Sequence, residues 1–215
     1  MPFNCFAAGS ASQRYQQVYL ATQFPQAGLI DMISFRLKPE RNAFGPSILP
    51  NVQIDMSITQ AEPNNLSIIF DDNLGPSVST VFSGDLTIEG TSCDPPGPCP
   101  FSVVIPLDEP FAYFPSNGNL IIDYRINTCA MLSDFELVFD ATNIQTDITT
   151  RLIAIDNVNS PTGGPTEFGL VTQFNLSPLT VLSPIPTLSE WGLIAMAGIL
   201  GIVGYLVIRR RKVSA

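Results

Sequence analysis

Nineteen carboxylates and four cysteines are the side chains of this 215-residue chain best suited to chemistry, and no histidine accompanies them. Without an imidazole the chain lacks the usual general base near neutral pH and the commonest ligand of transition metals. Thr187, Ser189 and Glu190 stand close together, but no histidine or lysine partner adjoins them to activate a hydroxyl. A carboxylate pair could serve a glycan hydrolase, yet no spacing marks two carboxylates as facing each other. Asp71-Asp72-Asn73, with Gly75, offers hard oxygen ligands on a turn but lacks the alternating acidic positions and closing glutamate of a calcium loop. A solvated turn is the expectation there, and again at Asp108-Glu109 beside Pro110. The chain is therefore expected to be no enzyme, with no catalytic residue, no metal and no cofactor.

The cysteines carry a different chemistry. Cys93 and Cys99 bracket Asp94-Pro95-Pro96-Gly97-Pro98, whose prolines and glycine favour a reversal that brings the two sulfurs together, so a small-loop disulfide is expected. Such a bond belongs to an exported protein. A zinc site is the weaker rival, because the four cysteines lack the paired short knuckles of structural zinc sites. A Cys5–Cys129 pair has no local support.

Net charge narrows the partners. The chain carries 10 basic and 19 acidic residues, and four of the basic ones, Arg209, Arg210, Arg211 and Lys212, crowd the C-terminus. So acidic a remainder argues against nucleic acid, whose phosphates need clustered lysine and arginine.

The elements around these residues read as strands. Val52 to Thr59 alternates apolar and polar side chains, as do Leu29–Leu37 and Leu120–Ile126, so each has one buried and one wet face. Further strands are expected at Arg14–Phe24, Ser79–Ile88, Phe101–Leu107, Phe135–Asp140, Arg151–Asp156 and Phe168–Phe174. Loops are expected at Pro39–Pro50, Glu62–Asn65, Asp71–Pro76, Pro115–Gly118 and Ser160–Pro165, all rich in turn formers. Short strands without intervening helices indicate an all-β fold, an antiparallel β-sandwich of jelly-roll type. Its strand order is not readable from the pattern. Phe111, Tyr113 and Phe114 are the aromatic candidates for stacking on extracellular polysaccharide, and read better as core and rim residues of a strand entry.

Trp191 to Ile208 is different in kind: an uncharged apolar run about as long as the shortest bilayer span, ended by Arg209–Lys212. Clustered positive charge stays on the cytoplasmic side, which places the β-domain outside the lipid bilayer. Pro186 biases Ile185 toward an extended backbone, so the segment before the helix should stay strand-like, and Trp191 should fix its height at the headgroups. The expected layout is a lead-in at 1–12, a β-sandwich ectodomain at 13–178, a stalk at 179–190, a transmembrane helix at 191–208 and a basic cytoplasmic tail at 209–215. This topology calls for an export signal. Met1–Ser12 has neither a basic n-region nor an apolar h-region, and the residues before Cys5 make no lipobox, so the true start is expected to lie elsewhere.

Ile185-Pro186-Thr187-Leu188-Ser189-Glu190-Trp191-Gly192, followed by the apolar run and the arginine-rich end, closely resembles the IPTL-CTERM sorting signal, a relative of the PEP-CTERM signal of Gram-negative bacteria. The resemblance covers Ile185 to Lys212. It implies recognition, and cleavage, by an exosortase, a polytopic membrane cysteine protease or transpeptidase. The eight residues are then a substrate motif and Arg209–Lys212 a stop. It further implies an exported protein, held in the membrane until processing and then placed in the envelope or at the cell surface. Landmarks such as Arg14–Tyr19, Phe70–Gly75 and Gly118–Asp123 also look like those of uncharacterised ectodomains bearing such tails, which implies a common sandwich and no particular activity.

Overall fold

Alternating segments become strands, and most of them pair with strands distant in sequence. The computed structural model describes residues 3, 12–128, 138–142, 149–166, 168–179 and 190–213. The chain divides into two units, Met1–Leu179 and Thr180–Ala215. In the first, the strands are β1 (Gln13–Tyr19), β2 (Gly28–Phe35), β3 (Phe44–Thr59), β4 (Val78–Gly90), β5 (Val103–Tyr113), β6 (Asn119–Ile126), β7 (Ala141–Thr142), β8 (Thr149–Ile155), β9 (Gly164–Thr166), β10 (Gly169–Leu170) and β11 (Thr172–Pro178). Three short 3-10 turns, Ala21–Gln23, Phe70–Asn73 and Pro115–Asn117, lie between them.

A six-stranded sheet runs in the order β4-β3-β6-β1-β8-β9, a three-stranded sheet in the order β11-β2-β5, and β10 pairs with β7. The pairings are antiparallel throughout. One apolar core takes Tyr15, Tyr19, Ile54, Met56, Ile122 and Tyr124 from the large sheet and Ile30, Ile33, Phe35, Ile105 and Tyr113 from the small one. The period-two pattern of β3 and β6 thus delivers its apolar members to a shared interior.

The central strand β1 is buried along its whole length. Its Tyr15 and Tyr19 enter the core, while Arg14, Gln16 and Val18 point to the opposite face, since side chains alternate along a strand. A second, small apolar cluster covers that face: Phe70 packs with Leu152 and Ala154, and Leu66 lies against them. The connection from β3 to β4 is therefore a strap laid across the outside of the large sheet. Residues 156–163 tie it down through Phe70 N donating to Pro161 O at 3.0 Å and Gly163 N donating to Ile68 O at 2.8 Å.

Several expected boundaries move. Pro39–Pro50 is not a loop throughout, because β3 already begins at Phe44. This first part pairs with β4 alone, and the register slips around Pro46 and Pro50, between Phe44 and Ser47 and between Leu49 and Val52. Proline is tolerated where a strand has one free edge or a bulge, so its presence masked the strand. Phe101–Leu107 becomes the longer β5, which bulges: Ile30 faces Phe111 while Met32 faces Pro106. The single strand expected at Phe168–Phe174 is divided, β10 pairing with β7 and β11 with β2, with Val171 N bonded to Asp140 O between them. Gly164–Thr166 forms an edge strand that overlaps the end of the loop expected at Ser160–Pro165. Of Phe135–Asp140, residues 135–137 lie outside the described residues, and Phe139 is a buried residue bridged to Leu37.

The second unit contains α1 (Glu190–Val213), 24 residues, or about 36 Å of helix at 1.5 Å per residue. Leu193, Ile194, Met196, Ile199, Leu200, Ile202, Val203, Leu206 and Ile208 are all exposed on it. Among the described residues no helix is long and apolar enough to cross a membrane. The unbroken stretch of α1 with described side chains, Gly192 to Leu206, is shorter than the roughly 17–25 residues a span takes.

Candidate functional site

Charge inside the β-domain is concentrated at one place. Arg14 on β1 and Asp123 on β6 are almost wholly buried, and they meet because Gln16 pairs with Asp123 and Arg14 with Arg125 across the two strands. The guanidinium donates from Nε to both carboxylate oxygens at 3.2 and 3.1 Å, and from Nη2 to Oδ2 at 2.6 Å. Nη2 also reaches Asp71 Oδ1 at 2.9 Å, and the ring of Phe70 lies 4.4 Å beneath the guanidinium carbon. Gln16 Nε2 donates to Asp123 Oδ2 at 3.3 Å, and Arg125 Nη2 stands 3.6 Å from that oxygen. Burial opposes the Arg14 charge, but hydrogen bonds and charge from Asp123, and then from Asp71, outweigh it and raise its pKa above the usual arginine value. A permanently charged fork held on both edges fixes strands and strap; it offers no group with a pKa near neutrality to move a proton.

The turn Asp71-Asp72-Asn73 is occupied in this structural work. Asp71 pairs with Arg14, Asp72 Oδ2 accepts from Ser67 Oγ at 3.0 Å, and Asn73 is buried. Asn73 Nδ2 donates to Ser67 O, Ile69 O and Gln16 Oε1, and its Oδ1 accepts from Ser67 N at 2.8 Å. Among the described residues no group of three acidic or cysteine side chains is placed to hold a metal. Asp108 accepts from Ser83 N at 3.0 Å, tying the bulge of β5 to β4. Cys93 and Cys99 form the expected disulfide, with Cα atoms 5.4 Å apart; Cys5 and Cys129 lie outside the described residues.

Among the clefts formed by the described residues of the β-domain, two draw their lining from several elements. One, about 500 Å³, is lined by Tyr19, Gln23, Phe24, Gln26, Thr142, Thr149, Thr172, Phe174 and Leu176 among others. At its floor Tyr19 Oη shares a hydrogen bond of 2.7 Å with Thr172 Oγ1, and burial pushes the Tyr19 pKa well up. The other, about 680 Å³, lies between Ile58, Pro76, Ser79 and Pro110–Ala112. Phe111, Tyr113 and Phe114 are the core and rim residues expected of a strand entry: the first two are buried and Phe114 is exposed. Neither the buried ion pair nor the first cleft was visible in the sequence. A charged residue inside the apolar run Leu120–Ile126 was the one available signal.

Of the tail residues, Ile185, Pro186, Thr187, Leu188 and Ser189 lie outside the described residues. Glu190, Trp191 and Gly192 open α1, and Arg209–Lys212 lie in its closing turns. Acidic residues at a helix start and basic ones at its end both suit the helix dipole.

A β-domain is thus followed in the chain by a helix with a basic end. Residues 183–212 match the family model described as the IPTL-CTERM motif. Such a motif implies a sorting signal for an exosortase-type system, and it suggests an exported cell-surface protein processed by an exosortase-like enzyme. No curated protein and no solved structure matches the chain.

Proposed function

We propose that the chain is a non-catalytic structural or adhesive protein of the cell surface, delivered as a β-sandwich through a membrane-spanning tail that an exosortase-type enzyme cuts. The observation that carries this is the order of parts matched over residues 183–212: motif, uncharged helix, basic end. The full uncharged run from Trp191 to Ile208 sits at the short end of what a bilayer requires. Helices apolar on every side belong in lipid or in a protein core, and the described apolar side chains of α1 are exposed. With Arg209–Lys212 on the cytoplasmic side, the β-domain faces outward and the Ile185–Leu188 segment waits at the outer membrane face, within reach of an enzyme embedded in the same bilayer.

Two chemical features speak against catalysis. The sequence has no histidine, and the buried carboxylates Asp123 and Asp55 accept hydrogen bonds from Arg14 and from Gln53 and Thr80 respectively. Mass spectrometry of the mature protein, from cells with and without the sorting enzyme, tests the reading. A new C-terminus between Thr187 and Trp191 that depends on the enzyme is expected. A chain intact through Ala215 in both samples would sink the processing role.

A further inference from the structure

We infer that the cleft between Phe24 and Phe174 binds a neutral glycan segment. Its volume, about 500 Å³, falls within the usual 300–1,000 Å³ of small-molecule sites. Among the described residues no lysine, arginine, aspartate or glutamate lines it, in a chain of net charge −9. Those residues offer a charged ligand no counter-ion, and burying an unpaired charge is costly.

The wall is aromatic. Phe24 and Phe174 are partly buried, their ring centroids 5.3 Å apart, and Tyr19 backs Phe174 edge-on at 5.1 Å. Such rings are rigid and already positioned, so they can receive the C–H face of a pyranose without first being ordered. The rim supplies the polar half of the match. Gln23 and Gln26 are exposed, and neither side-chain amide has a hydrogen-bond partner among the described residues. Each brings one acceptor and two donors, which suits vicinal hydroxyls.

Backbone groups at the floor are spent. Gln17 bonds both Leu170 N and Leu170 O at 2.9 Å, and Val171 N is bonded to Asp140 O at 3.1 Å. A peptide added as a strand would need such groups free. Side-chain amides above aromatic faces favour a sugar instead.

The test titrates the full chain, in detergent, with neutral hexasaccharides of β-1,3-glucose, β-1,4-glucose, β-1,4-xylose and β-1,4-N-acetylglucosamine. An acidic galacturonate hexamer and an uncharged decapeptide run alongside, all read by saturation-transfer NMR and calorimetry. At least one neutral glycan should bind in the millimolar range or tighter, with Gln23→Ala and Gln26→Ala each weakening it about 2- to 10-fold. Both variants should keep the parent thermal midpoint, because both side chains are on the surface. Phe174→Ala should abolish binding, with circular dichroism reporting whether the fold survives. Absence of binding by every neutral glycan at 10 mM overturns the inference. So does binding indifferent to both glutamine variants, or preferential binding of the acidic hexamer or the peptide.

Discussion

A single buried arginine decides how the outside of the large sheet is organised. Arg14 touches Asp123 on a neighbouring strand, Asp71 on the strap and Ser160 O on the connection that holds the strap down. Removing one partner leaves an uncompensated charge in the interior, so Asp123→Ala should cost about 3–5 kcal/mol, read as a lowered urea midpoint. Arg14→Lys keeps the charge but loses the planar fork and its stacking on Phe70, and should also destabilise. Asp71 is largely exposed at 73% of its side chain, so Asp71→Asn should cost no more than about 1 kcal/mol.

The tyrosines give a second prediction at this scale. Burial raises the pKa of Tyr113 to about 12 and pushes Tyr15, Tyr19 and Tyr124 up as well. The unfolded chain releases these protons near pH 10 and the folded one only later, so their neutral form stabilises the fold below pH 10. That contribution is lost as pH rises from 10 toward and beyond 12. Circular dichroism melts should fall steeply above pH 10, and phenolate absorbance should rise together with unfolding. A phenolate signal from these four residues near pH 10 in a chain that remains folded would contradict the assignment.

Elements turn on contacts that substitutions can probe one at a time. Where the strap nears β4 and passes the end of β3, a Cβ on Gly75 would lie 1.7 Å from Ile58 O, while one on Gly45 would meet nothing within 4 Å. Gly75→Ala should therefore cost about 3 kcal/mol, and Gly45→Ala should remain within about 1 kcal/mol of the parent. The Cys93–Cys99 bridge spans six positions, and the loop-closure entropy of so short a ring limits the cost of Cys93→Ser to about 2 kcal/mol. Denaturant titration of the three variants checks all three estimates.

What the sequence disclosed about these elements follows from the range of the interactions. Val52–Thr59 and Leu120–Ile126 are legible because each strand's alternation is complete within itself. Phe44–Pro50 is not, since an edge strand has no second neighbour to forbid its prolines. The Arg14–Asp123 pair spans 109 positions, and the cleft gathers Phe24, Thr142, Thr149 and Phe174, so no local spacing could announce either. The proline-rich hairpin is legible for the opposite reason: its disulfide partners are six residues apart.

At the scale of the whole molecule the two units carry different kinds of information. The β-domain's site exists only after folding, whereas the tail is a linear signal whose parts follow one another from 183 to 212. A linear signal should be portable. Residues 183–215 fused to an unrelated exported enzyme should confer processing on it in a host that has the sorting enzyme, and leave it uncut in a host without one. On the proposed topology, replacing Arg209, Arg210, Arg211 and Lys212 by glutamine removes the charge that would hold the tail on the cytoplasmic side. The altered fusion should then lose most of its processed form and its membrane retention, as read by intact mass and fractionation. Processing of the glutamine version at the parent level would show that the motif and helix suffice, and that the basic end contributes nothing to recognition.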